Sequence, residues 1–207
     1  MEEHMAGKKA LPAQLPARPE GVAMPEIPLP ENTENEQKAD ETSFGCVFCL
    51  TGKEKLVAED IEDACPEVRA ITMRRVKYRT HNKVKSKEEE LVLPSYIFFK
   101  APSYFEPLLH FPRQNIIKVL TLHDGSWQLI GEDEKFVKWL FEYDGMLGVS
   151  QAYQEGTRIK VVSGPLKDME GKISRVDKRG LSGQVILNFY GKDIPVWLAF
   201  ELVDVVK

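Results

Sequence analysis

RIKVVSGPLKDMEGKISRV, residues 158–176, is the stretch whose reading decides the C-terminal part of this chain. Two β-rich runs, 159–162 and 172–176, flank a loop opened by Gly164-Pro165 and closed by Gly171. Glycine reaches backbone angles closed to other residues and proline pre-sets a turn, so the stretch reads as a reversal between strands, a hairpin. Lys160, Lys167, Lys172 and Arg175 give it a positive rim. Short β-rich runs surround it, at 158–162, 172–177, 184–189, 194–198 and 202–206. Strands this short, separated by turns, predict a small closed barrel that leaves no exposed edge.

Upstream, the pattern changes. Residues 46–50 read as a buried strand broken by Thr51-Gly52, and 53–64 as an amphipathic helix with Leu56, Val57, Ile61 and Ala64 on one face. Pro66 stops that helix. Residues 70–79 and 90–100 read as a long antiparallel hairpin joined by a Lys- and Glu-rich connection. A short helix at 104–110, a strand at 116–121 and a helix at 132–143 complete the order β-α-β-β-α-β-α. This predicts an α+β fold, a mostly antiparallel sheet flanked by helices, over 43–145. Residues 146–154 read as a linker and 155–207 as the all-β domain. Residues 1–42 form a proline-rich, acidic extension with too little apolar surface to offset the entropy of ordering, and are expected to be disordered.

Composition narrows the function classes. The net charge is −4, but the segment 151–207 carries nine Lys/Arg against seven Asp/Glu and is the only net-basic part. A polyanion contact is therefore expected there, without indiscriminate nucleic-acid binding. No apolar run is long enough to span a membrane, and no secretory signal opens the chain, so a cytoplasmic address is expected. Cys46, Cys49 and Cys65 are too few and too odd in number for a disulfide framework. Cys46 and Cys49 have CxxC spacing, but residues three apart in a strand point to opposite faces, and no second ligand pair completes a zinc site. His4, His81, His110 and His123 are scattered. Thr51–Lys55 lacks the Gly-rich approach to Gly52-Lys53 and the Ser/Thr that follows the lysine of a phosphate loop. The carboxylates at 88–90 and 132–134 read as a loop tip and a helix start. The expectation is a binding protein with no cofactor and no metal, not an enzyme.

Residues 156–176 resemble the KOW motif, and in the NusG family of transcription factors such a motif follows an N-terminal α/β domain, called NGN. CLTGKEKLVAEDI (49–61) is similar to the opening of that domain, and LPSYIFF (93–99) resembles its Phe-Pro-Gly-Tyr-Val strand. The resemblance covers residues 44–206 and implies an NGN domain followed by a small SH3-like KOW barrel. Thr51–Glu54 and the run DIPVWL (193–198) look most like a specialised branch, the LoaP antiterminators. That likeness implies a monomeric factor for elongation or processive antitermination, whose KOW domain binds a nascent RNA hairpin. The family implies contact with the clamp helices of the RNA polymerase β′ subunit and a bridge towards the β subunit, disfavouring clamp opening and pausing. Leu93 and Tyr96, with Phe111 nearby, match the polymerase-facing surface, although Leu93 reads equally as a core residue. For RNA, the expected residues are Lys167, Lys172, Arg175, Lys178, Arg179 and Lys192, whose cations meet phosphate and whose guanidiniums also reach bases.

Departures from the family pattern fall at Phe44-Gly45, where Trp-Tyr is common, and at Ser95, where glycine is usual. The loop positions that carry aromatic contacts to Rho or a ribosomal protein in general NusG proteins are Leu166 and Met169 here, though Tyr190 keeps an aromatic in a later turn. Two other readings remain: a housekeeping factor coupling polymerase to Rho or the ribosome, and a ribosome-associated structural RNA-binding protein.

Overall fold

The computed structural model describes residues 41–156 and 158–203. Most of the N-terminal extension, and the strand expected at 202–206 beyond Val203, lie outside the described residues. Thr42–Cys49 (β1) pairs along its length with Tyr96–Pro102 (β5), and Arg69–Ile71 (β2) and Ile116–Val119 (β6) complete a four-stranded sheet in the order β2-β5-β1-β6. Strand β1 thus takes in Thr42, the last residue of the segment expected to be disordered, whose other residues before Glu41 lie outside the described residues. Glu54–Ala64 (α1) covers one face and Gly131–Glu142 (α3) the other. A sheet covered on both faces needs near-continuous apolar strands, which is why GCVFC and YIFF lack polar alternation. Strand parity sorts them: Val47, Cys49, Ile97 and Phe99 join Val57 and Ile61 of α1, while Cys46 and Phe98 join Phe136, Val137 and Leu140 of α3. Pro107–His110 (α2) is a single turn before β6.

The long hairpin expected over 70–79 and 90–100 is broken into four strands. Arg74–His81 (β3) and Val84–Leu91 (β4) leave the main sheet as a separate ribbon, turned by Asn82 and Lys83, both at positive φ. The break has a cause at residues 92–95. Pro94 cannot donate to a ladder, and Ser95 sits in the left-handed region at φ 70°. That conformation suits glycine. Here Glu54 holds it, its Oε1 accepting the Ser95 N–H at 2.8 Å, while Thr51 and Ser95 hydroxyls meet at 2.7 Å.

Residues 146–154, read as a linker, are largely strand. Met146–Leu147 (β7) pairs in parallel with β3, and Ser150–Glu155 (β8) enters a five-stranded sheet of order β10-β11-β12-β8-β9. The other members are Arg158–Ser163 (β9), Ile173–Asp177 (β10), Ser182–Phe189 (β11) and Lys192–Leu202 (β12). The run expected at 194–198 is the middle of the longer strand β12, which reaches Leu202, the first residue of the run expected at 202–206.

The hairpin expected at 158–176 is not formed. Strand β9 pairs with β8 and β10 with β11, so the two lie at opposite ends of the sheet. Among the described residues no ladder joins β9 to β10, and the connection itself spans the gap. Gly164 (φ 86°) leads into the helical turn Pro165–Asp168 (α4), followed by the 3-10 turn Glu170–Lys172. A Cβ on Gly164 would stand 2.9 Å from the Cα of Ser150, whose hydroxyl accepts the Leu166 N–H at 3.0 Å. Proline fits the first helical position, where no N–H is needed. Leu166 is then driven into the core, 1% exposed, with Met169 beside it. The Gly-Pro segment closes the apolar interior instead of reversing the chain.

Candidate functional site

Asp177 organises an exposed cationic turn. Its Oδ1 accepts the N–H groups of Arg179 and Gly180, each at 2.9 Å, fixing the turn between β10 and β11. A Cβ on Gly180 would lie 2.4 Å from Asp177 Oδ2, and Leu181 takes φ 52° to re-enter the sheet. An aspartate capping its own turn in this way is an Asx arrangement. Lys178 and Arg179 stand exposed at its tip, with Arg175 exposed on the adjoining strand β10.

The six cations expected to meet RNA do not converge. Arg175, Lys178 and Arg179 gather at the end of β11 that begins with Ser182. Lys192, paired with Phe189, lies at its other end, about 24 Å away at strand rise. Lys167 is ion-paired with Glu170 at 2.6 Å. Lys172 lines a cleft of about 190 Å³ with Glu132, Lys135, Trp139 and Asp168, where carboxylates offset its charge. Of the six, Lys178 and Arg179 share the 177–181 turn. Sequence spacing hid this because ends of neighbouring strands look equally close along the chain.

The three apolar residues expected to face polymerase also separate. Leu93 is buried in the α3-side core and Phe111 in the α1-side core, on opposite faces of the sheet. Tyr96 is half-buried, opposite Phe48 across the β1–β5 ladder with ring centroids 5.2 Å apart. Phe189 of β11 meets the Tyr96 ring edge-on at 6.1 Å and also touches Phe98 and Phe136. Sequence reading missed Leu108, Leu109 and Ile117, which are 61%, 79% and 53% exposed. Leu108 and Ile117 line, with Phe111, an apolar groove of about 410 Å³ between α2 and β6. Their signal is a Leu-Leu pair on a helix too short to bury both.

The departure at Phe44-Gly45 has a packing reason. A Cβ on Gly45 would fall 2.3 Å from the Phe99 ring, which stacks on Trp127 at 5.2 Å. Trp127, its Nε1 donating to the Phe105 carbonyl at 2.8 Å, fills the space beside Gly45. Cys46 and Cys49 lie in opposite cores, so one metal cannot reach both. Burial, with the Glu54 charge behind it, pushes the Cys49 thiol up to about 11, and burial also raises Cys46. Neither supplies a thiolate at neutral pH. Among the described residues, no cluster of three His, Cys, Asp or Glu could hold a metal, and no helix is long and apolar enough to cross a membrane.

No family model matches the chain. It is 30% identical over 73 residues to the transcription termination/antitermination protein NusG of Thermus thermophilus, a match spanning 32% of this chain and 40% of that relative. A solved structure described as "Domain interaction in Thermotoga maritima NusG" aligns with a TM-score of 0.45 at 19% identity, over 78% of this chain and 95% of that one.

Proposed function

We propose that this chain is a NusG-type transcription elongation factor, a cytoplasmic binding protein and not an enzyme. In this reading the α/β layer of residues 42–142 is an NGN domain that binds RNA polymerase, and the five-stranded sheet is a KOW domain that binds nascent RNA. The similarity to a curated NusG supports the transcription assignment. The observation that carries the RNA half is the 177–181 turn: two cations on a backbone locked by Asp177, at the end of a sheet built on a Gly-Pro closure. Cations held on a fixed turn meet phosphates with little ordering cost, and the Arg179 guanidinium adds bidentate contacts. For polymerase, the exposed Leu108, Leu109 and Ile117 beside Phe111 offer an apolar surface of the kind protein partners cover. Tyr96 contributes only where Phe189 does not cover it. A specialised LoaP-like antiterminator fits better than a housekeeping factor, because the loop positions Leu166 and Met169 are aliphatic and buried, leaving Tyr190 of the later turn as the exposed aromatic on this side.

Titrating the full chain with fluorescently labelled RNA stem-loops tests the RNA half. Binding is expected to weaken with salt, and Lys178→Ala/Arg179→Ala to reduce affinity at least about tenfold. Equal affinity of that double variant and the parent protein would exclude the turn as the RNA contact.

A further inference from the structure

The ribbon β3–β4 carries a charge asymmetry that the reading above leaves unused. At its base, cations and carboxylates are matched: Arg74 pairs with Glu89 at 3.1 Å, Arg75 and Lys77 with Glu90, and Arg79 with Glu88 at 3.3 Å. Towards the tip the carboxylates stop. Residues 80–87 hold Lys83, Lys85 and Lys87, plus His81, and no Asp or Glu. Within the described residues, the carboxylate approaching these lysines is Glu201, 3.6 Å from Lys87 Nζ.

This tip does not project alone into solvent. Lys85 Nζ donates to the carbonyl of Arg179 at 3.2 Å, which places the ribbon against the 177–181 turn. Lys83, Lys85 and Lys87 are exposed beside exposed Lys178 and Arg179, making one basic surface from two remote stretches of sequence. Two of the lysines sit over the ring of Tyr78, Lys85 Nζ and Lys87 Nζ each 5.9 Å from its centroid. Like charges crowded this way repel one another. A polyanion relieves that repulsion.

We propose that the tip of the β3–β4 ribbon and the 177–181 turn form a single RNA-binding surface, which rests on the RNA reading above and extends it into the N-terminal half. The turn grips one part of the RNA, and the ribbon takes the phosphates of the strand leading into or out of it. Lys85 and Lys87 recur about 6.7 Å apart along the strand, a stride that lets each meet a separate phosphate. When Lys85 and Lys87 turn to phosphate they uncover the Tyr78 ring, on which an unpaired base can then stack, a face that an acidic peptide would leave unused. The ligand is therefore a stem with a single-stranded flank, not a bare duplex.

Fluorescence anisotropy with the full chain, a labelled RNA stem-loop bearing a single-stranded flank, and the same stem without it tests this. The variants are Lys83→Ala/Lys85→Ala/Lys87→Ala and Lys178→Ala/Arg179→Ala, with thermal melting to establish that both remain folded. The ribbon variant is expected to lose about tenfold in affinity for the flanked RNA, and the slope of log K against log salt to fall by about 2, from three lost phosphate contacts. The flankless stem is expected to respond much less. If the ribbon variant binds flanked RNA like the parent while the turn variant fails, the ribbon proposal is overturned and the RNA reading stands. If the parent binds neither RNA, both fall. If polyglutamate of matched charge displaces the RNA as well as unlabelled RNA does, the surface serves an acidic protein and the proposal is overturned.

Discussion

Ser95 concentrates what a single residue decides in this fold. It occupies a left-handed position, and its N–H is taken by the buried carboxylate of Glu54. Burial pushes the Glu54 carboxyl up, but the N–H groups of Ser95, of Glu54 itself and of Gly52 outweigh burial and leave it below its usual value. A depressed carboxylate contributes stability above the unfolded-state pKa, about 4.3, and loses it as pH falls through the folded value. Glu54→Gln is expected to cost about 1–2 kcal/mol at pH 7 by urea unfolding, with the gap to the parent closing below about pH 4. An equal gap at pH 3 and pH 7 would contradict the charge-assisted bond. The sequence shows a serine at a left-handed position that favours glycine, but the glutamate forty-one positions upstream that compensates has no local signal. Gly45 is similar: its need for space is set by Phe99 and Trp127, neither of which is near it in sequence.

At the scale of elements, helices α1 and α3 were legible because their apolar spacing has the helical period and both bury one face. Buried strands β1 and β5 were legible because an apolar run of that length between turn residues has few other uses. The 158–176 stretch was misread because local turn chemistry names a change of direction and not the partner strand. Strands β9 and β10 each find a neighbour elsewhere, and β8 arose from residues too polar on one side to stand out from a linker. Of the site, the cations at 178–179 were legible as a basic turn. Their separation from Lys192 and their contact with Lys85 depend on the sheet order, which sequence spacing does not encode. The corrected role of the connection makes a sharp prediction. Leu166→Ala, on an exposed hairpin loop, would change stability by no more than about 0.5 kcal/mol. As the plug of the sheet's interior, Leu166 is expected to cost about 2–5 kcal/mol on truncation, read as a lower denaturation midpoint with an unchanged m-value.

Across the whole molecule, the α/β layer and the five-stranded sheet share one core. Phe189 enters the space bounded by Tyr96, Phe98 and Phe136, and the Tyr190 N–H donates to Asp133 Oδ1 at 2.8 Å. Asp168 on α4 accepts from Trp139 Nε1 at 2.9 Å and from the Tyr143 hydroxyl of the α3 end. Burial, and then Asp168, hold the Tyr143 phenol well above its usual range, so its O–H remains a donor throughout neutral pH. Arg75 Nη1 donates to the Trp197 carbonyl at 2.7 Å, tying β12 to the ribbon. The basic surface and the apolar groove beside α2 are therefore carried on one body, which suits a factor that holds RNA while bound to a protein machine. The direct test offers the immobilised full chain both core RNA polymerase and ribosomes, at equal concentration and moderate salt, and identifies what is retained. Retention of polymerase, reduced by Leu108→Ala/Ile117→Ala, is the result this account predicts. Retention of ribosomes with no polymerase would contradict it.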